Sequence, residues 1–126
     1  MHHTDQTNLW IKALILAFWA AVVAVGILSL LPVEALPSPL LNWWDKAQHA
    51  LGFLVLATLG FAAFAKKTTL VAVWLAIYGM LIELAQAFTG WRYGDIMDWL
   101  SDLAGIALAM ILLAVIQKYW PALFRV

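Results

Sequence analysis

The sequence predicts an all-α, polytopic membrane protein, a single domain built as a bundle of four transmembrane helices. Of its 126 residues, 66% are hydrophobic and only 11% are charged, whereas soluble domains are about half apolar and about a quarter charged. The hydrophobic residues form four long runs, each close to the ~20 residues that a helix needs to cross a bilayer. Four such spans account for most of the chain, so no length remains for a second domain.

The predicted spans cover residues 9–31, 47–65, 70–88 and 96–116. The first is longer than the apolar part of a signal peptide, which has about 7 to 15 residues, and only one lysine lies near its start. We therefore expect it to be a transmembrane helix rather than a leader that is cleaved.

The connections between the spans are short and contain residues that end helices. The first contains three prolines, the second is the polar segment 66–69, and the third contains Gly90 and Gly94. Short connections make successive helices antiparallel. In the fourth span, Gly105 and Ala109 have the spacing of small residues that let two helices pack closely.

Composition also excludes two classes of function. Seven basic and seven acidic residues cancel, so the chain has no polybasic surface that could bind nucleic acid. It contains no cysteine, which excludes disulfides, thiolate metal sites and thiol chemistry.

The orientation in the membrane follows from the positions of the basic residues. Most of them fall on one side of the predicted bundle, namely Lys12, Lys66, Lys67, Lys118 and Arg125. Because cytoplasmic segments carry the excess of lysine and arginine, we expect both termini to be cytoplasmic. Aromatic residues typical of the outer interface lie on the other side, namely Trp43, Trp44, Trp91, Tyr93 and Trp99.

Most of the remaining polar residues fall at the outer ends of the second, third and fourth spans: Asp45, Lys46, His49, Glu83, Gln86, Arg92, Asp95, Asp98 and Asp102. Within a span they recur every three or four residues, so that each helix carries one polar stripe. Charge inside a membrane is costly unless it faces the bundle interior or a wet cavity. We therefore expect the stripes to line one cavity that opens to the outer side, with Arg92 at its rim.

Each of these residues also has a purely structural interpretation. Asp45 and Asp98 fit the N-terminal caps of the second and fourth helices. Lys46 and Arg92 can extend to lipid phosphates. The other polar side chains can form hydrogen bonds between helices.

In order and spacing, the polar residues resemble the motifs of the VanZ-like family of small bacterial membrane proteins. The family pattern is Asp-Lys-x-x-His-x-x-x-Phe, then Glu-x-x-Gln, an arginine, and Asp-x-x-x-Asn-x-x-Gly. Its positions here are Asp45, Lys46, His49, Phe53, Glu83, Gln86, Arg92, Asp98, Asp102 and Gly105. Asp102 stands where the family has asparagine.

The resemblance implies a multi-pass protein of the bacterial cytoplasmic membrane with a role in the cell envelope. The family takes its name from a protein associated with low-level resistance to the glycopeptide teicoplanin, and it carries no settled biochemical activity. The motif residues are therefore a candidate polar site rather than an assigned catalytic centre.

Three classes of function remain open. The first is binding of a lipid or lipid-linked saccharide head group, or of a glycopeptide, with phosphate meeting Lys46 and Arg92. The second is a membrane-embedded hydrolase or transferase in which His49 or Glu83 is the general base. A divalent cation could assist it, with candidate ligands His49, Glu83, Asp98 and Asp102, and the sequence specifies no other cofactor. The third class is transport, which four helices would support only as a homo-oligomer.

The charges of the site do not balance. Asp45, Glu83, Asp95, Asp98 and Asp102 are five acids against Lys46 and Arg92, an excess of three negative charges if His49 is neutral. Of the acids, Glu83 lies deepest in its predicted span. Since burial penalises its charge most, we expect Glu83 to be protonated or paired with a cation or a basic group.

Overall fold

The computed structural model describes residues 2–32, 34 and 44–124. Within these ranges the chain forms four long α-helices and one short 3₁₀ helix at Pro121–Phe124. The long helices are α1 (His2–Leu30), α2 (Trp44–Ala63), α3 (Thr68–Thr89) and α4 (Ile96–Tyr119). All four are long and apolar enough to cross a membrane. The four helices confirm the predicted fold class, and their number and length are those of a multi-pass membrane protein.

The helices and the hydrophobic runs differ at their ends. α1 begins at His2 rather than at residue 9, and α4 continues to Tyr119 rather than ending at 116. A hydrophobic run marks only the part of a helix that lies in hydrocarbon, whereas the backbone hydrogen bonds of a helix continue through flanking polar residues. Most of the proline-rich connection, with Trp43, lies outside the described residues, as does Arg125.

Successive helices run in opposite directions. The indole nitrogen of Trp91, which follows α3, donates to the carbonyl of Leu30 at the end of α1, at 3.0 Å. His49 near the start of α2 contacts Asp102 near the start of α4. The C-terminal ends of α1 and α3 therefore lie with the N-terminal ends of α2 and α4, and we call this the polar end. The described lysines that set the predicted orientation belong to the opposite end: Lys12, Lys66, Lys67 and Lys118.

The core lies between α2 and its neighbours. Phe53, Leu56 and Leu75 have almost no exposed surface, and the cluster around them also contains Phe18, Val22, Ala57, Phe61, Val71, Ile82, Ile106 and Ala109. The outer faces of the helices expose large apolar side chains, as expected of a surface that meets lipid.

α2 and α4 approach each other most closely at Gly105. A Cβ atom at this position would collide with the backbone carbonyl of Ala50, and it would lie 2.9 Å from the backbone nitrogen of Leu54. Ala109, one turn further along α4, is buried. The predicted packing role of this pair of small residues is confirmed.

The turn between α3 and α4 fixes how their polar residues meet. Gly90 ends α3 in the left-handed conformation, with φ of 80°, which glycine adopts without strain. Asp95 is the N-cap of α4, and its side chain accepts from the backbone nitrogen of Met97. Asp98 therefore lies in the first turn of α4, and the interpretation of Asp98 as the cap is corrected, because the extended backbone required of a cap occurs at Asp95. Asp45 likewise lies in the first turn of α2.

Candidate functional site

Four carboxylates and one imidazole meet at the polar end. We call this group the acid–histidine cluster; it consists of Asp45, His49, Glu83, Asp98 and Asp102. The side chains come from α2, α3 and α4, and those of Glu83, Asp98 and Asp102 are buried. Turns of about 3.6 residues place Asp45 above His49 and Asp98 above Asp102 on the facing sides of α2 and α4. The spacing that predicted polar stripes thus also sets the geometry of the cluster.

His49 lies at the centre of the cluster with carboxylates at both ring nitrogens. Its Nδ1 is 2.8 Å from Oδ1 of Asp102 and 3.8 Å from Oε1 of Glu83. Its Nε2 is 3.8 Å from Oδ2 of Asp98. With Asp102 ionised, its carboxylate only accepts hydrogen bonds, so Nδ1 of His49 carries the proton and donates it to Asp102.

Glu83 is held by the start of α4 through one oxygen. Its Oε2 accepts from the backbone nitrogen of Asp95 at 2.8 Å. The chain can approach this closely because Gly94 has no side chain; a Cβ there would lie 2.5 Å from the carbonyl oxygen of Glu83. The other oxygen, Oε1, is buried without a hydrogen-bond partner among the described residues. The structure thus brings His49 towards the acid for which we expected a basic partner, but at 3.8 Å rather than at hydrogen-bonding distance.

Asp102 is completely buried. One oxygen accepts from His49, whereas Oδ2 has no hydrogen-bond partner among the described residues. Gly79 of α3 lies directly against this oxygen, since a Cβ at Gly79 would be 2.7 Å from it. The position where the VanZ-like pattern has asparagine therefore holds an acid with an unsatisfied oxygen in the interior of the bundle.

Lys46 connects the cluster to its exposed edge. Its ammonium group lies 3.0 Å from Oδ1 of Asp98 and 3.3 Å from Oδ2 of Asp95. The hydrogen bond from the Met97 backbone nitrogen, together with Lys46, holds the pKa of the Asp95 carboxyl below its usual range. Asp45 adds a carboxylate beside His49 and Asp98, with ligand atoms of the three side chains within 4.8 Å of one another.

Two of the predicted site residues turn away from the cluster and hold the end of α1. The amide nitrogen of Gln86 and Nε of Arg92 both donate to the carbonyl of Ser29, at 2.8 and 3.1 Å. Because the last carbonyls of a helix have no partner within the helix, these donors fix α1 to α3. Sequence reasoning missed this role of Gln86 and Arg92. It also missed that Asp95 caps α4 and pairs with Lys46. The signal for the cap was available, since an aspartate directly before a helical run is typical of one.

The arrangement can bind a cation, or it can use an aspartate-oriented histidine as a base. The hydroxyl of Ser101 donates to the carbonyl of Met97 in its own helix, at 2.8 Å. No known protein-family model, curated protein or solved structure matches the chain. The resemblance of its motifs to the VanZ-like pattern therefore stays a prediction.

Proposed function

We propose that this chain is a VanZ-like protein of the bacterial cytoplasmic membrane that binds the polar head group of a lipid or lipid-linked saccharide at its polar end. The observation that supports this proposal is the graded burial of the polar side chains. Lys46 and Asp95 are almost half exposed, whereas Asp98, Glu83 and Asp102 are almost or completely buried. A polar ligand group can thus meet the exposed charges of Lys46 and Asp95 first, with the buried acids directly behind them.

The charges of the site favour a head group that donates hydrogen bonds. Lys46 already pairs with two carboxylates, and Arg92 uses Nε to bind the end of α1. A phosphate would have to compete with these partners, whereas hydroxyl or amine groups would donate to carboxylates that outnumber the bases. We therefore assign the head group's hydroxyls or amine to the carboxylates of the cluster.

The surroundings suit a ligand whose tail stays in the bilayer. Phe88, Trp91 and Tyr93 are exposed beside the polar end, with more than half of the surface of each accessible. Aromatic side chains of this kind lie at the boundary between head groups and hydrocarbon. A lipid-linked ligand could place its tail against them while its head group enters the cluster.

Native mass spectrometry of the detergent-purified chain tests this proposal. Phosphatidylethanolamine and phosphatidylglycerol, which carry an amine and hydroxyls, should be retained better than phosphatidic acid, which carries neither. Asp45→Asn should reduce the preference, because it removes a half-buried acid of the cluster. Glu34→Gln, which changes an exposed carboxylate outside the cluster, is the matched control. Equal retention of the three lipids by the parent would refute head-group recognition.

The hydrogen bond between His49 and Asp102 supports a second candidate, a membrane-embedded hydrolase or transferase. An acid that orients a histidine through Nδ1 is the arrangement that makes imidazole an effective general base. In this reaction water or a substrate hydroxyl would be the nucleophile. Release of product from a lipid-linked saccharide by the parent, and its loss in His49→Gln, would favour this candidate; turnover unchanged by that substitution would exclude it.

The resemblance also gives the proposal a cellular readout. Expression of the parent in a susceptible bacterium should raise the teicoplanin concentration that inhibits growth, and Asp45→Asn should reduce this effect. Vancomycin is the control antibiotic, since the resemblance concerns teicoplanin. Equal susceptibility with parent, variant and empty vector would remove the link to glycopeptide resistance.

A further inference from the structure

We propose that His49, Glu83 and Asp102 form a binding site for one divalent transition-metal ion, of the class of Zn²⁺ or Mn²⁺. The site consists of three residues of the acid–histidine cluster, and the metal proposal does not rest on the head-group proposal. One nitrogen and two carboxylate oxygens of these side chains lie within 4.8 Å of one another. The three residues come from three different helices, so a bound ion would fasten α2, α3 and α4 together.

The separations of the ligand atoms suit a small ion. Bonds of about 2.0–2.2 Å at tetrahedral angles place neighbouring ligand atoms about 3.3–3.6 Å apart. Around Nδ1 of His49, the distances are 2.8 Å to Asp102 and 3.8 Å to Glu83, on either side of that value. Side-chain adjustments of less than about 1 Å would therefore bring both of these distances to the value that the ion requires. The proton on Nδ1 would leave to solvent when the ion binds.

Unsatisfied oxygens provide an independent indication of a ligand. Oε1 of Glu83 and Oδ2 of Asp102 are buried and have no hydrogen-bond partner among the described residues. An unpaired buried acceptor is costly, and more so when it is charged. Oε1 of Glu83 faces Nδ1 of His49 at 3.8 Å. The proposed ion would lie between these two atoms. Coordination would satisfy this oxygen, which no hydrogen bond within the cluster does.

A carboxylate also lies on the other side of the histidine ring. A metal-bound histidine usually donates its other ring nitrogen to a carboxylate. Here Oδ2 of Asp98 lies 3.8 Å from Nε2 of His49, and Oδ1 of Asp98 is held by Lys46 at 3.0 Å. Asp98, which the sequence offered as a ligand, thus lies on the side of the ring where an orienting partner would bind, at a separation beyond hydrogen-bonding distance.

The donor set selects the class of ion. Mg²⁺ and Ca²⁺ prefer oxygen ligands alone, whereas imidazole together with carboxylate suits Zn²⁺ or Mn²⁺. The carboxylates of Glu83 and Asp102 also balance the two charges of the ion, while the third buried acid, Asp98, is paired with Lys46. With the metal in place of the Nδ1 proton, the ring keeps an N–H at Nε2 that faces Asp98.

The alternative is a proton in place of the metal. A doubly protonated His49 would also face a carboxylate at each nitrogen, and the arrangement would then be a buried ion-pair network. It would, however, leave Oε1 of Glu83 at 3.8 Å from the ring, beyond hydrogen-bonding distance. Direct measurement of metal binding separates the two states.

The experiment uses the full chain in detergent with His2 and His3 replaced by asparagine, since two adjacent histidines can bind metal by themselves. His49 is then the only histidine left. Titration calorimetry with Zn²⁺ and with Mn²⁺ should give one saturable site in this background. Glu83→Gln should abolish it, while its amide oxygen can still accept from Asp95. Asp98→Asn should weaken binding about 10- to 100-fold, and Glu34→Gln should leave it unchanged.

Electron paramagnetic resonance of bound Mn²⁺ provides a measurement that does not depend on the fold of a variant. In the background that lacks His2 and His3, labelled with ¹⁵N-histidine, the ion should show coupling to one histidine nitrogen, which can only belong to His49. A parent without saturable binding, a Glu83→Gln variant that binds like the parent, or bound Mn²⁺ without nitrogen coupling would each overturn the proposal. Because no lipid is added, loss of lipid preference alone would count against the head-group proposal and not against the metal site.

Discussion

Nδ1 of His49 lies 2.8 Å from Oδ1 of Asp102, and this contact joins α2 to α4 inside a bundle whose other interior side chains are mainly apolar. Asp102 has no exposed surface, so the histidine replaces water as its donor. Unlike a contact at the membrane surface, this one has little competition from solvent. The pair therefore contributes both to how the two helices pack and to whatever chemistry the polar end performs.

Replacing His49 should destabilise the chain by leaving Asp102 without its donor. His49→Leu is expected to lower the free energy of unfolding by about 1–3 kcal/mol, measured by titration with a denaturing detergent. The double variant with Asp102→Leu should recover part of this loss, because it removes the buried acceptor as well. Losses that simply add in the double variant would show that the two side chains do not interact.

The fold could be predicted from the sequence because helix length and hydropathy are local properties. Each predicted span corresponds to one helix, with differences at the ends that hydropathy does not encode. The spacing of Asp45 with His49, and of Asp98 with Asp102, also gave the facing stripes correctly for α2 and α4, since side chains four apart share a helix face.

The bonds to the end of α1 could not be predicted in the same way. Their acceptor is a backbone carbonyl of Ser29, and every residue has such a group, so the sequence does not mark which one is used. The sequence interpretation placed the cap of this helix at Asp98 and not at Asp95, although both aspartates precede or begin the same helical run. Only the course of the backbone after Gly90 decides between them.

Gly105→Ala should destabilise the contact between α2 and α4. The added methyl group would collide with the carbonyl of Ala50, and overpacking of this kind costs about 1–3 kcal/mol. Gly52→Ala is the matched control, because a Cβ there would have an ordinary contact with Val25 at 4.0 Å. The control should be neutral or slightly stabilising, since alanine favours a helix more than glycine does. Equal effects of the two substitutions would contradict the close contact.

Gln86→Ala should loosen the end of α1. Ser29 then keeps only the donor from Arg92, and the loss of one hydrogen bond is expected to cost about 1 kcal/mol. The double variant with Arg92→Ala should lose more than the sum of the single variants, because each single variant leaves Ser29 with one donor. Gln117→Ala, a change of an exposed glutamine on α4, is the control. Additive losses would show that the two donors act on separate acceptors.

Asp95 should make the stability of the chain depend on pH in the acidic range. The backbone hydrogen bond from Met97 lowers the pKa of Asp95 in the folded state, so the folded chain favours the ionised form. The stability that ionised Asp95 contributes is complete above the pKa of this carboxyl in the unfolded chain, about 3.9. This stability is lost as pH falls through the lower pKa of the carboxyl in the folded chain. At pH 6 the parent should therefore have a higher Tm than the Asp95→Asn variant, and the difference in Tm should shrink towards pH 3. A constant difference would contradict this, and Asp95→Ala should melt lowest at pH 6 because alanine provides no cap.

The positions of the lysines predict that the polar end faces outward and that the opposite end is cytoplasmic. The parent has no cysteine, so a single introduced thiol reports one position without background. Tyr93→Cys places the thiol at the polar end, where Tyr93 is 92% exposed, and Lys67→Cys places it at an exposed position of the opposite end. In intact cells, a maleimide that cannot cross membranes should label position 93 and leave position 67 unlabelled, whereas permeabilised cells should show both. Labelling of position 67 in intact cells would reverse the orientation and place the acid–histidine cluster on the cytoplasmic side.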